Sequence, residues 1–309
     1  MVERHRIRAD KGLATRMGLT MFMLLMLYAA VFGALIAIGI SAILVLAIAA
    51  GVIFIQYWFS ASIALYAMGG REVSPAQAPQ LHAIVDRLCA MADMRKPRVA
   101  IASSDIPNAF ATGRSPNAAV VCATTGILRR LNEQELEAVL AHELSHVAHR
   151  DVAVMTIASF LGIVAGLMTR VALYAGMLGG FGGGGGRDNE GEQAALIELA
   201  VIVVSALVYA ISFLLTRALS RYRELAADRS GAILIGRPSI LASALVKVTG
   251  EMARIPTRDL RSAEHFNAFY FAPAIANGVS LSTLFSTHPP LQRRLDQLAK
   301  LEAEMNRPA

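Results

Sequence analysis

Hydrophobic residues dominate the first quarter of the chain. No Asp, Glu, Lys or Arg occurs between Met17 and Gly70, whereas one transmembrane helix needs only about 20 apolar residues. The pattern therefore predicts two membrane-spanning helices, over residues 17–38 and 41–66, with a tight turn at Gly39. A cleaved signal peptide is too short to explain so long a stretch. The alternative is a buried helical hairpin of a soluble protein.

Two further apolar segments lie in the middle of the chain. Residues 152–178 carry one charge, Arg170, and residues 194–216 carry one charge, Glu198. We predict that both segments cross the membrane, so that Arg170 and Glu198 lie at the same interface. The glycine-rich and polar segment 179–192 between them predicts a flexible linker.

Between the second and third spans the apolar positions follow a helical period. Asn132, followed three residues later by Glu135, is typical of a capping box at a helix N-terminus. Apolar residues then recur at helical spacing and predict a stripe that packs into a core: Leu136, Val139, Leu140, Leu144 and Val147.

The β-prone segments 98–101 and 118–123 predict a small hairpin or sheet before this helix. Residues 291–305 predict an amphipathic C-terminal helix.

Composition and charge agree with a membrane protein. Hydrophobic residues make up 55% of the chain and charged residues 17%, which is outside the usual range of soluble domains. Basic residues precede the first span and the loop after the third span is net acidic, so the positive-inside rule places the N-terminus and residues 71–151 and 217–309 in the cytoplasm. The net charge of +6 then reflects topology, because no basic patch with interleaved aromatic residues supports nucleic-acid binding.

Cys89 and Cys122 lack paired spacing and are predicted to be reduced core thiols.

The cytoplasmic helix carries the motif His142-Glu143-Leu144-Ser145-His146. Its two histidines are four residues apart on one helix face, where both imidazoles can reach one zinc ion. Glu143 lies between them and is predicted to act as the general base on water at the metal. A solvated helix with unrelated histidines is the alternative. Two protein ligands do not make a tight zinc site, so a third must come from elsewhere in the chain.

Glu224 is the predicted third ligand. If the fourth span continues as a helix past residue 216, Glu224 lies about 12 Å beyond its end, while His146 lies about 9 Å before residue 152. Both groups then lie at a similar height above the bilayer. Asp228, one turn after Glu224, is the predicted hydrogen-bond partner of a ligand histidine. A surface pair of carboxylates beside Arg221 and Arg223 is the alternative for Glu224 and Asp228.

These motifs resemble those of the HtpX-type membrane zinc metalloproteases, which are bacterial relatives of the CAAX prenyl proteases. HELSH at 142–146 and SRYRELAAD at 220–228 carry the resemblance, together with NAFATG at 108–113 and STHPP at 286–290. It extends over nearly the whole chain. The resemblance implies one Zn²⁺ per chain, cytoplasmic cleavage of membrane proteins and a role in quality control of the inner membrane. The glycine run and His149, which could offer a further metal contact, are not part of the family pattern.

Five further residues are candidates for substrate binding or transition-state stabilisation. In the family the NAFATG segment is an edge strand that holds the substrate backbone, which implies this role for Asn108, Ala109 and Phe110. An edge strand can pair with an extended peptide through main-chain hydrogen bonds, whereas a turn residue is the alternative role of Asn108. His288 and Arg294 could stabilise the oxyanion, although we favour a structural role for both.

The predicted fold is a mainly α membrane protein with four transmembrane helices and a cytoplasmic, zincin-like α+β catalytic domain that carries a small β-sheet. Residues 1–70 form the N-terminal tail and the first transmembrane hairpin, and residues 152–216 form the second hairpin. Residues 71–151 and 217–309 form the two parts of the catalytic domain. The predicted function is that of a zinc metalloendopeptidase of the bacterial inner membrane, acting on membrane or misfolded polypeptides and not on nucleic acid.

Two other functions stay open at this point. An intramembrane site-2-type zinc protease carries the same motif inside a span, with an Asp ligand in a later span. Here His149, Arg150 and Asp151 separate the motif from the apolar segment, which argues against that class. A non-catalytic zinc-binding membrane scaffold would keep the same ligands, although Glu143 argues against it. No motif predicts the oligomeric state or the cleavage preference.

Overall fold

The computed structural model describes residues 11–37, 57–151, 189–254 and 289–307, together with positions 43, 47, 50, 51, 54, 55 and 155. The chain divides into two compact units. The first, which we call the sheet unit, comprises Met1–Thr15, Phe54–Val154 and Ser220–Ala309. The second, the apolar-helix unit, comprises Arg16–Ile53 and Met155–Leu219.

Four short strands form a mixed sheet in the sheet unit. They are β1 (Gly70–Glu72), β2 (Arg98–Ala102), β3 (Ala109–Thr112) and β4 (Val120–Thr124), arranged in the order β1-β2-β4-β3. β2 and β4 are parallel, whereas β1 and β3 run antiparallel to their neighbours. The predicted sheet is therefore confirmed. A hairpin between 98–101 and 118–123 is wrong, because parallel strands need a crossover connection, and β3 forms part of that connection.

The two faces of the sheet pack into different hydrophobic clusters, since successive side chains of a strand point to opposite faces. Val99 and Val121 join the main core beneath the helices. Phe110 lies in the second cluster, where Ala61 and Ala64 of helix α2 (Ser60–Ala67) pack against the sheet. Edge strand β3 is thus held from both sides.

Both cysteines are buried free thiols, as predicted. Cys89 belongs to the main core and Cys122 to the second cluster. Burial raises the pKa of Cys89 to about 11 and that of Cys122 to about 12. Neither thiol is therefore reactive at neutral pH.

Helices cover the face of the sheet that carries the main core. They are α3 (Pro79–Ala92), α4 (Thr125–Arg130), α5 (Glu133–Ala148), the end of α6 (Asn189–Ile235), α7 (Pro238–Arg254) and α8 (Leu291–Met305). Helix α5 lies at the centre and contacts α3, α7 and strand β3. The predicted C-terminal helix is confirmed in its full length, with Leu298 and Leu301 buried against the core.

Helix α5 begins as its sequence predicts. The Asn132 side chain accepts a hydrogen bond from the Glu135 backbone, and the Glu135 carboxylate accepts one from the Asn132 backbone. The same carboxylate binds Nζ of Lys247 at 2.9 Å and Oγ of Ser243 at 3.2 Å, both on α7. All five residues of the predicted apolar stripe are buried: Leu136, Val139, Leu140, Leu144 and Val147. Three of them, Val139, Leu140 and Leu144, are fully inaccessible to solvent.

Most of helix α1 (Lys11–Ala37) and the first part of α6 lie in the apolar-helix unit. Helices are thus present over most of 17–38 and over 194–216. No helix within the described residues is both long and apolar enough to cross a membrane. The linker predicted over 179–192 is wrong at its C-terminal end, because α6 already begins at Asn189. The turn at Gly39 and nearly all of the third predicted span lie outside the described residues.

Candidate metal-dependent active site

Helices α5 and α6 bring three buried side chains of the predicted motifs together. The Nε2 atoms of His142 and His146 are 3.2 Å apart. The carboxylate oxygens of Glu224 lie 3.7 Å from Nε2 of His142 and 3.4 Å from Nε2 of His146. His142, His146 and Glu224 each offer one nitrogen or oxygen atom as a possible metal ligand, and these three atoms lie within 4.8 Å of one another.

The chemistry of these donors fits a zinc ion. Two imidazole nitrogens and a carboxylate oxygen are zinc ligands, and such a set leaves a fourth position for water. Each Nδ1 faces an aspartate, which can only accept a hydrogen bond when ionised, so the Nε2 lone pairs are directed towards the Glu224 carboxylate. A buried cluster of acceptors needs a cation or additional protons.

Without a metal ion, the surroundings of both imidazoles favour their protonated form. Burial lowers the pKa of His142 and His146, but hydrogen bonds to Asp228, Asp151 and Glu224 outweigh burial and hold both pKa values above the usual range. A metal ion and protons therefore compete for the same nitrogens.

An aspartate contacts the far nitrogen of each imidazole. Nδ1 of His142 lies 2.9 Å from Oδ1 of Asp228, and Nδ1 of His146 lies 2.7 Å from Oδ2 of Asp151. Both aspartates are fully buried. Contacts of this kind fix the ring orientation and leave Nε2 as the metal-binding nitrogen.

An arginine holds each of these aspartates in turn. Arg294 donates from Nε to Oδ2 of Asp228 at 2.7 Å and from Nη2 to Oδ1 at 2.6 Å. Nε of Arg223 lies 3.0 Å from Oδ2 of Asp151. Burial alone would raise the pKa of both aspartates, but the arginines and the histidines hold both values below the usual range. Both carboxylates therefore stay charged inside the protein.

Sequence analysis missed Asp151 and Arg223. Helix α5 ends at Ala148, and Arg150 has a φ of 56°, in the left-handed region. This turn stops the helix and lets the Asp151 carboxylate return to His146. In the sequence, the signal was a carboxylate five residues after the second histidine, but that spacing predicts no contact within a continuous helix. His149 is not among the residues that could share a metal ion within the described chain.

The side chain of Glu143 extends from helix α5 to the edge strand β3. Its Oε2 accepts a hydrogen bond from the backbone N–H of Ala111 at 2.9 Å. Burial raises the pKa of Glu143, and the Ala111 hydrogen bond acts in the opposite direction. The main-chain groups of Asn108 bond to Thr124 on β4. By the alternation of an antiparallel ladder, those of Ala109 and Ala111 are directed towards the free edge of the sheet.

The other predicted site residues are distributed differently. Asn108 is fully buried beside β4, and Ala109 packs in the main core. The Phe110 side chain lies in the second cluster, on the sheet face opposite the main core. Arg294 lies beside Asp228, with Nη1 3.8 Å from Glu224. His288 is outside the described residues.

Comparison with known proteins gives consistent matches. The model of one family, Peptidase family M48, matches residues 75–302. The chain is similar to Protease HtpX homolog 1 of Streptomyces coelicolor, with 58% identity over 97% of this chain and 96% of that protein. It is also similar to Protease HtpX homolog of Moorella thermoacetica, with 53% identity over 98% of each chain. Among solved structures, it is similar to S. mikatae Ste24p, with a TM-score of 0.45 and 16% identity over 91% of this chain and 62% of that chain.

Proposed function

The chain belongs to peptidase family M48, and from this premise we propose that it is a zinc-dependent endopeptidase anchored in the bacterial inner membrane. Membership confirms the resemblance seen in the motifs and the predicted hydrolysis of peptide bonds. The observation that carries the proposal is the convergence of His142, His146 and Glu224 on one buried point, with Glu143 beside them. The proposed substrates are membrane or misfolded proteins, cleaved on the cytoplasmic side.

In this proposal His142, His146 and Glu224 hold one Zn²⁺ per chain. When bound, zinc polarises the scissile carbonyl and lowers the pKa of water towards neutrality. Asp228 and Asp151 orient the imidazoles, so that both Nε2 atoms are directed at one point before the metal arrives.

Glu143 is the proposed general base. Its carboxylate takes a proton from the attacking water and then delivers that proton to the nitrogen of the leaving amine. A raised pKa suits a group that must take up and release a proton near neutral pH. The Ala111 N–H fixes Oε2 of this carboxylate, so that Oε1 is left for the proton transfer.

Strand β3 is the proposed site of substrate binding. Its free edge carries the main-chain groups of Ala109, and its Ala111 N–H contacts the general base. An extended peptide that adds to this edge would be bound mainly through its backbone, which allows many sequences as substrates. The buried Phe110 side chain supports the strand from the opposite face.

Arg294 is a proposed positioning residue. Its Nε and Nη2 are committed to Asp228, and the whole side chain is buried. These contacts support the structural role over direct stabilisation of an oxyanion.

Exposed apolar side chains support the membrane location. Large hydrophobic residues of α1 and α6 are more than half exposed, among them Leu19, Phe22, Leu25, Leu207 and Leu214. Surfaces of this kind are unfavourable in water and suit contact with acyl chains. The cytoplasmic orientation rests on the basic residues before the first span.

The proposal is tested by replacing Glu143 with Gln, which should leave zinc bound and abolish cleavage of an unfolded membrane protein. Glu133→Gln is the matched control, because it makes the same change at an exposed position of the same helix. Zinc content is measured alongside proteolysis, with and without chelator. Retained proteolysis in the Glu143 variant would falsify the proposed mechanism. Full activity in the presence of chelator would show that cleavage does not need the metal.

A further inference from the structure

We infer that Trp58 and Arg114 form a contact with phospholipid headgroups that holds strand β3, and the active site with it, at the membrane surface. This inference rests on the membrane location proposed above. It adds the level at which the chain leaves the hydrocarbon core of the bilayer for the headgroup region, which it places near Trp58 and before residue 66.

Trp58 and Arg114 form a cation–π pair. The Cζ atom of Arg114 lies 4.0 Å from the centroid of the Trp58 ring. Phe54, one helical turn earlier, stacks on the same indole with ring centroids 5.5 Å apart. Trp58 is nevertheless 48% exposed, so these contacts do not make it a core residue. An amphipathic indole beside a cation is typical of the boundary between hydrocarbon and water.

Helix α2 carries its large apolar residues on the outside. The small residues Ala61 and Ala64 are buried against the sheet, whereas Ile63 is half-exposed and Tyr66 is 91% exposed. A helix surrounded by water has the reverse arrangement. Further large hydrophobic residues are exposed in the segment that precedes α2. Together with Ile63 and Tyr66 they form what we call the apolar band: Phe54, Ile55, Trp58, Phe59, Ile63 and Tyr66.

Charge and length identify a phospholipid bilayer as the occupant of the apolar band. Arg114 borders the band with a guanidinium group, which binds phosphate oxygens in a bidentate manner and is costly to place in hydrocarbon. The helix predicted from the sequence to begin at residue 41 would extend about 27 Å by residue 58, which is enough to cross the hydrocarbon core. Helix α2 begins after its N-cap Phe59, next to the Trp58–Arg114 pair.

The contact fixes the distance between the headgroups and the general base. At most about 11 Å of extended chain separates Ala111 from Arg114, and the Ala111 N–H donates to Glu143. A peptide bound along β3 therefore lies close to the bilayer surface, because only a few residues of this chain separate β3 from the headgroup contact. Segments that emerge directly from the membrane would be preferred as substrates over soluble peptides.

The fluorescence of Trp58 tests the inference directly, because Trp58 is the only tryptophan of the chain. Full-length protein is reconstituted into phosphatidylcholine vesicles, with and without phosphatidylglycerol. The acyl chains carry bromine either near the carbonyl end or near the terminal methyl. We expect stronger quenching by the shallow bromines than by the deep ones. The variant Trp58→Phe shows the background emission.

Flotation of the vesicles separates the two proposals. Protein that does not float with lipid would overturn the membrane location itself. Protein that floats while Trp58 is unquenched, or is quenched most by the deep bromines, would overturn only the headgroup contact. A Trp58 emission change with inorganic phosphate in lipid-free detergent, equal to that with vesicles, would identify a free anion as the ligand and overturn it as well.

Removing the guanidinium tests the consequence for catalysis. Arg114→Gln should lower cleavage of a membrane-anchored substrate roughly two- to fivefold relative to a soluble peptide, a ratio that corresponds to one exposed cation–π contact. It should also shift the Trp58 emission. Arg95→Gln, which makes the same charge change at an exposed arginine outside the apolar band, should leave both quantities unchanged. Equal effects of both variants, or none for Arg114→Gln, would contradict the inference.

Discussion

The backbone of Gly231 in helix α6 lies directly against the backbone of His142 in helix α5. A Cβ atom at Gly231 would lie 2.8 Å from the His142 nitrogen and 3.0 Å from its Cα. Glu224, Asp228 and Gly231 follow each other at intervals of four and three residues, so they share one face of α6. The absence of a side chain at Gly231 lets this face approach the histidines.

Gly231→Ala should therefore move α6 away from α5 and weaken metal binding. The contacted atoms belong to the backbone and have little freedom to shift, so we expect a loss of stability of about 1–3 kcal/mol and at least about a tenfold loss of zinc affinity. Chelator competition measures the affinity. Gly250→Ala in α7, where nothing lies within 4 Å of the added atom, is the control and should be neutral or stabilising. Equal zinc affinities of the Gly231 variant and wild type would contradict this explanation.

Asp151→Asn should weaken zinc binding about 10–100-fold, because the amide replaces the charged acceptor that orients His146. Arg223→Gln should have a smaller effect in the same direction, since it acts through Asp151. Titration with zinc under chelator competition measures both. Asp105→Asn, at an exposed carboxylate that pairs with Arg129, is the matched control. If Asp151→Asn binds zinc as tightly as Asp105→Asn, the carboxylate has no orienting role.

Arg294→Met should destabilise the sheet unit by about 3–5 kcal/mol, because it removes both guanidinium hydrogen bonds of the buried Asp228 carboxylate and leaves it only the His142 contact. Adding Asp228→Asn to this variant should recover part of the loss, since the uncompensated charge is then removed. Thermal unfolding measures both. Arg229→Met is the control, because its ion pair with Glu304 is exposed and contributes little. A similar Tm for the Arg294 and Arg229 variants would count against this ion pair.

The stabilising effect of zinc should increase with pH. In metal-free protein the raised pKa values of His142 and His146 stabilise the fold fully below the unfolded-state pKa of about 6.5. This contribution is lost as the pH rises through the folded-state values. Zinc needs the unprotonated imidazoles, so its affinity rises over the same range.

The corresponding measurement is the difference in Tm between zinc-loaded and zinc-stripped protein at pH 6 and pH 8. A larger difference at pH 8 is expected. A difference that stays constant or shrinks would show that these histidines do not release protons on metal binding. A variant with His82→Gln, a buried histidine outside the site, should keep the wild-type dependence.

Local patterns were sufficient to predict the elements of the site. The capping box of Asn132 and Glu135 and the apolar stripe of α5 depend on contacts within a few residues, and the structure shows both. The C-terminal helix was predicted over its observed range for the same reason. The sequence left a hairpin and a sheet open for β2 and β4, which pair in parallel, because the sequence of a strand does not specify its direction relative to its neighbour.

The sequence by itself determined that the two imidazoles of the motif share one helix face and that a second acidic motif follows an apolar segment, because helical periodicity is a local property. Only the tertiary structure decided the pairs Asp228–Arg294 and Asp151–Arg223, and the contact between Glu143 and the Ala111 amide. These contacts join segments far apart in the chain. They depend on how closely α6 approaches α5 at Gly231 and on the left-handed turn at Arg150, which packing and chain reversal determine.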